Sequence, residues 1–138
     1  MSLQTPKFII SALQNTPAIM AATDGRIFYA ARDNAAEEED KIPYIVVQPE
    51  SVTEDSTKDG DGVHDTDRVG VLVVAQGGAE LMDLAEDVRR AVGDAAETFE
   101  SEIFTVDGLT FSAGAVVMDP QKPCYYQTLA YVAETTNL

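Results

Sequence analysis

The sequence predicts an α+β domain: a mainly antiparallel sheet of about four to six strands, with one long helix at about 79–92 and short N-terminal helices packed on it. Three observations predict it. The hydrophobic period changes once, sharply, at Gly77-Gly78, from a spacing of two over Arg68–Ala75 to a spacing of three and four beyond Ala79. The other apolar segments are short, alternate with polar residues and end at turn residues. Most connections between them have hairpin length, which suits antiparallel neighbours.

Each element has its own signals. Thr5 is placed to cap a helix starting at Pro6, with Phe8, Ile9, Ala12 and Leu13 on one side. Thr16-Pro17 repeats the signal, and Ala18–Ala22 makes one or two further turns packed through Ile19 and Met20. Asp24-Gly25 turns the chain into a strand, Arg26–Ala30, and Arg32–Lys41 is a charged loop with Glu37–Asp40 at its tip. In the next strand Tyr44, Val46 and Gln48 share one face and Ile45 and Val47 the other, while Pro49 marks an edge or a bulge. Glu50–Asp67 contains only Val52 and Val63 as large apolar residues. It reads either as the outer half of an antiparallel hairpin, Tyr44–Glu54 with Val63–Ala75, projecting from the body at about 50–67, or as a disordered loop.

In the helix, Leu81, Leu84, Ala85, Val88 and Val92 form the apolar stripe, the acids crowd the first turns, Arg89 and Arg90 close it, and Gly93 is the expected C-cap. Asp94–Ser101 adds a ragged turn. Glu102–Val106 is a strand, and Asp107-Gly108 is the tight turn of a hairpin whose second strand runs from Leu109 to Asp119-Pro120. Alternation over Cys124–Ala133 predicts a last strand.

With 138 residues and 45% apolar composition, the chain is expected to form a single domain, 1–138, burying roughly two-thirds of the surface exposed when unfolded. It carries 24 acids against 9 bases, a formal charge of −15. Twelve of those acids fall between Asp33 and Asp67, a region therefore expected to be mostly solvated. So acidic a chain offers no basic patch for nucleic acid or for an anionic membrane. No apolar run approaches the roughly 18 residues of a membrane span, and Met1–Thr5 has no basic region leading into a signal-peptide core. The expectation is a soluble, intracellular protein. A single cysteine, Cys124, excludes an internal disulfide and a cysteine-rich zinc site.

Catalytic parts are few. His64 is the sole histidine and reads as a solvated loop residue, and no local motif pairs it with Cys124 or with a serine. Asp59–Asp67 alternates acids as oxygen ligands do, but it breaks the calcium-loop pattern with Val63 at the fifth position, His64 at the sixth and Gly70 at the twelfth. Gly77-Gly78 lacks the spacing of a phosphate-binding loop, and Glu80 repels anions there. No catalytic, cofactor-binding or metal-ligating residue is predicted, and no cofactor.

The order of elements resembles a family. An N-terminal helix running into Asp24-Gly25-Arg26-Ile27-Phe28, then Pro43-Tyr44-Ile45-Val46-Val47, then Arg68–Ala75 followed by the helix Ala79–Val92, is similar to the small tail-completion and tail-terminator proteins of long-tailed bacteriophages and prophages. The resemblance covers about the first two-thirds of the chain. It implies a non-enzymatic structural subunit, a ring oligomer and usually a hexamer, at the head-proximal end of the tail tube. Its partners would be further copies of itself, the tail tube protein and the head–tail connector protein. It would sit in the bacterial host cytoplasm during assembly and in the virion tail afterwards. On this reading the hairpin is the assembly element, with Tyr44, Val46, Val52, Val63 and Arg68 as its expected interface residues. The alternatives are a small interaction domain unrelated to phage and a hydrolase working with two carboxylates.

Overall fold

A computed structural model describes residues 4–30, 41–56, 63–99, 101, 104–121 and 123–137. The side chains of residues 53–56, 63 and 137 lie outside the description, as do residues 31–40, where the charged loop was expected, and 57–62, where the tip of the hairpin or loop was expected. Among the described residues three helices, α1 (Gln4–Gln14), α2 (Pro17–Thr23) and α3 (Gly78–Glu97), accompany six strands. The strands are β1 (Ile27–Tyr29), β2 (Tyr44–Ser56), β3 (Val63–Ala75), β4 (Phe104–Ala113), β5 (Val117–Asp119) and β6 (Cys124–Asn137). They form one sheet in the order β1-β2-β3-β6-β4, with β5 also paired to β6. All neighbours are antiparallel except β1 and β2. The fold class is the α+β arrangement expected.

Strand alternation decides where the core lies. Ile45 and Val47 on β2, Val69, Val71 and Val73 on β3, and Leu129 and Tyr131 on β6 share one face, and all are buried. Against it α3 sets Leu81, Leu84, Ala85, Val88 and Val92, the predicted stripe, and α1 sets Phe8, Ile9 and Leu13. Among the described residues the helices pack on this face of the sheet.

The long helix does not stop at Gly93. It continues to Glu97, so Gly93 is an interior residue rather than a cap, Thr98 is the C-cap, and Arg89 and Arg90 are not in the last turn. The reason lies downstream: Ala95 and Ala96 prolong the apolar stripe, and Phe99 beyond the helix meets Phe8 edge-on at 4.9 Å and Phe104 at a tilt at 4.8 Å. That packing outweighs the roughly 1 kcal/mol by which an interior glycine disfavours a helix. At the other end of the chain Thr5 is not a cap. It lies inside the first turn of α1, fully buried, and its hydroxyl donates to the carboxylate of Asp67.

Asp107-Gly108 is not a hairpin turn. Val106 pairs with Thr135 and Gly108 with Glu134 on the same strand, so Asp107 is the extra residue of a β-bulge inside β4. The bulge resets the alternation: Val106 before it and Leu109 and Phe111 after it all face the helices. Beyond Ala113 the expected strand is interrupted at residues 114–116 and resumes as β5 along the same edge of β6. Gly114 N–H still donates to the Thr128 carbonyl at 2.9 Å, and its own carbonyl accepts from Gln127 Nε2 at 2.8 Å.

Both arms of the central hairpin pair, from Tyr44↔Val74 to Ser56↔Val63, with a register shift between Pro49 and Ser51. The loop alternative therefore does not hold for the arms themselves. β3 pairs with β6 along its whole length on the other side, from Val63↔Asn137 to Ala75↔Tyr125. The distal half of the hairpin is thus continuous with β6 and β4.

Candidate assembly interface

The bulge between Pro49 and Ser51 separates the residues expected to act together. Tyr44 and Val46 stand opposite Val74 and Leu72 on the face away from the helices, and Arg68, opposite Ser51, shares that face. Val52 lies across from Asp67 and points to the helix side. Val63 joins the ladder through its backbone, opposite Ser56 and Asn137. Of the five, Tyr44, Val46 and Arg68 are brought onto one surface. There Phe28 meets Tyr44 edge to face, 6.2 Å between ring centres, while Val46 and Val74 are buried and Arg68 is exposed.

Two acids expected in solvent are buried instead. Asp65 and Asp67 fall on the helix-facing register of β3 and are 2% and 1% exposed. Burial and the neighbouring Asp65 charge push the Asp67 carboxyl above its usual range, against the lowering by the Thr5 hydroxyl. Thr135, opposite Asp65, is buried beside them. The calcium reading of Asp59–Asp67 meets this geometry badly, because its last two acids belong to a paired strand beneath α1. Among the described residues no group of three or more His, Cys, Asp and Glu side chains is arranged to hold a metal ion.

His64 is exposed, and its Nδ1 lies 2.9 Å from the Thr136 hydroxyl, a cross-strand pair of β3 and β6. Cys124 is buried. One groove of about 360 Å³, between α1, α2 and α3, is lined by Ala12, Asn15, Thr16, Asp87, Arg90 and Asp94, and it holds no nucleophile with a base beside it. Among the described residues no helix is long and apolar enough to cross a membrane.

A family model described as tail completion protein gp17 matches residues 7–133. The chain belongs to this family. It is accordingly a structural component of phage tails, and the resemblance read from the first two-thirds of the sequence extends into β6. Among solved structures, a chain of the virion of a native gene transfer agent particle shares the fold, with a TM-score of 0.67 and 20% identity over 96% of this chain and 94% of that one. A comparison with curated proteins returns no match.

For a tail completion protein, the informative surface missed in the sequence is the outer edge of the sheet. Val116, Val117 and Met118 are 49%, 41% and 53% exposed, as is Tyr29 at 51% on the opposite edge. The signal was present as eleven consecutive uncharged residues, Gly108–Met118, in a chain of charge −15. Alternation placed them on a strand without showing that the strand is outermost.

Proposed function

We propose that this chain is a non-enzymatic tail completion subunit that assembles as a ring, a hexamer, at the head-proximal end of the tail tube and joins tail to head. The observation that carries the reading is the family match over residues 7–133. The architecture supports it in two ways. Among the described residues the helices pack on one side of the sheet, and its outer strands, β1 on one edge and β4 and β5 on the other, are placed to meet neighbours. The most perturbed acid, Asp67, lies in the interior under Thr5, where no substrate reaches it, which disfavours a two-carboxylate hydrolase.

On this reading the partners are other copies, the tail tube protein and the head–tail connector. The subunit meets them in the host cytoplasm and remains in the virion tail. Tyr44 and Arg68 on the face away from the helices, with Val52 and Val63 on the distal hairpin, are its contact residues, and Val46 is buried on the same face as the first two. Electron microscopy of particles made without the gene tests this. Tails of irregular length and heads without tails are expected, both restored by supplying the protein; normal tailed particles in its absence would sink the proposal.

A further inference from the structure

We propose that the protomers of the ring join edge to edge, the β5 edge of one copy pairing antiparallel with the β1 edge of the next, so that the sheets run on around the ring. The inference rests on the ring reading above and names its contact. Among the described residues five large apolar side chains are exposed, and four belong to the two outermost strands or the residue leading into one: Tyr29 on β1, and Val116, Val117 and Met118 at β5. The fifth, Met82, is on α3. Outermost strands present unused backbone donors and acceptors, and apolar side chains there favour pairing with another chain.

Three features select a second copy of this chain as the occupant. The first is direction. β1 runs parallel to β2, and three antiparallel steps lead from β2 through β3 and β6 to β4 and β5, so β1 and β5 point in opposite senses. Two copies side by side in the same orientation therefore present an antiparallel pair.

The second is height. Tyr29 pairs with Val47, Val47 with Val71, Val71 with Leu129 and Leu129 with Ala113, so β1 lies on the rung where β4 ends, and Val117 follows three rungs on, opposite Tyr126. Edges at nearly the same height join by rotation with little translation along the strands. A head-to-tail contact of that kind closes into a ring instead of winding into a filament.

The third is charge. Each copy carries −15, yet β5 has a single acid, Asp119, after the uncharged run Gly108–Met118, and Arg26–Ala30 around β1 has one base and no acid. Pairing β5 with β1 sets its one acid, Asp119, against a strand that has none, so the strands themselves add little of the repulsion that opposes self-association of so acidic a chain.

Light scattering on the full chain across protein concentration tests the contact, with Tyr29→Lys and Val117→Lys as edge variants and Met82→Lys as the control for adding a lysine at an exposed apolar site. The wild type and Met82→Lys should associate alike. Each edge variant should need at least tenfold more protein to do so. Mixing the two edge variants should restore dimers and nothing larger, because each retains one intact edge. Circular dichroism checks folding, and Met118→Lys replaces Val117→Lys if the latter is unfolded. Association of a folded edge variant at the wild-type concentration overturns the contact, and so does a mixture that stays monomeric. A wild-type chain that remains monomeric to millimolar concentration yet restores tails would overturn the self-contact and leave tail completion standing. A chain that associates as predicted but restores no tails would overturn tail completion and leave the contact standing.

Discussion

Tyr131 and Asp67 show what the interior asks of single side chains. The Tyr131 ring lies 5.4 Å from that of Phe111, over which Arg89 stacks at 5.2 Å, and its buried hydroxyl has no hydrogen-bond partner among the described residues. Burial pushes that phenol far above its usual range, opposed only in part by Arg89. Tyr131→Phe removes an unsatisfied polar atom and keeps the ring, so denaturant melts should show a change between zero and about 1 kcal/mol in favour of the variant. A loss above that would reveal a partner for the hydroxyl. For Asp67 the sign follows from linkage. Its carboxyl is raised above 3.8, so the folded state keeps the proton to higher pH than the unfolded chain; the resulting stability is complete below 3.8 and is lost as pH rises through the folded value. Asp67→Asn does not titrate. Its stability relative to wild type should therefore climb as pH rises from about 3 and then level off, read by urea melts at each pH. A falling difference would mean that the carboxylate is held ionised by a partner. The odd-numbered register of β3 was legible in Val69, Val71 and Val73, but its continuation through Asp65 and Asp67 was not. Composition argues that acids are outside, and only the Thr5 hydroxyl, sixty-two residues away, shows why one of them is inside.

Elements were read well where one physical signal dominated and poorly where two competed. The start of α3 at Gly77-Gly78 and its stripe from Leu81 to Val92 were plain, because period and turn residues agree there. Its end was misplaced because Gly93 is a strong local stop signal, whereas the reason to continue, Phe99 against Phe8 and Phe104, is tertiary. The two readings differ in the sign of a measurable quantity. A side chain at position 93 would meet nothing within 4 Å, so Gly93→Ala should stabilise the protein by up to about 1 kcal/mol in thermal or urea unfolding. A left-handed cap would respond with a loss instead. Asp107-Gly108 misled in the same way: the dipeptide favours a turn, but Phe104, Val106, Leu109 and Phe111 need one face, and a single extra residue in a straight strand meets that need. Thr105 Oγ1 donates to Asp107 Oδ1 at 3.0 Å, and the Thr136 hydroxyl donates to the other carboxylate oxygen, which holds the bulge in place.

For the whole molecule, local patterns carried the fold class and the hairpin register, while the order of strands came from pairings far apart in sequence. No local signal places β6 between β3 and β4. The same holds for the outer strands: Val117 and Tyr29 looked like ordinary strand residues until the sheet order made them outermost. At charge −15 per copy, association should be weak near 0.01 M salt, where screening extends to roughly 30 Å, and should strengthen toward 0.15 M, where it shortens to roughly 8 Å. Light scattering at fixed protein concentration would read this, and association that weakens with added salt would point to a contact built on opposite charges. The central position of β6 has a further consequence in time. Among the described strands it comes last in sequence, yet β3 on one side and β4 and β5 on the other pair with it and not with each other. Contacts such as Val63↔Asn137 span most of the domain, and closing such long loops makes folding slow. The β2–β3 hairpin is local in sequence, whereas among the described residues β4 and β5 have no partner strand other than β6. The outer edge that β4 and β5 form therefore exists only in a chain whose β6 has already docked.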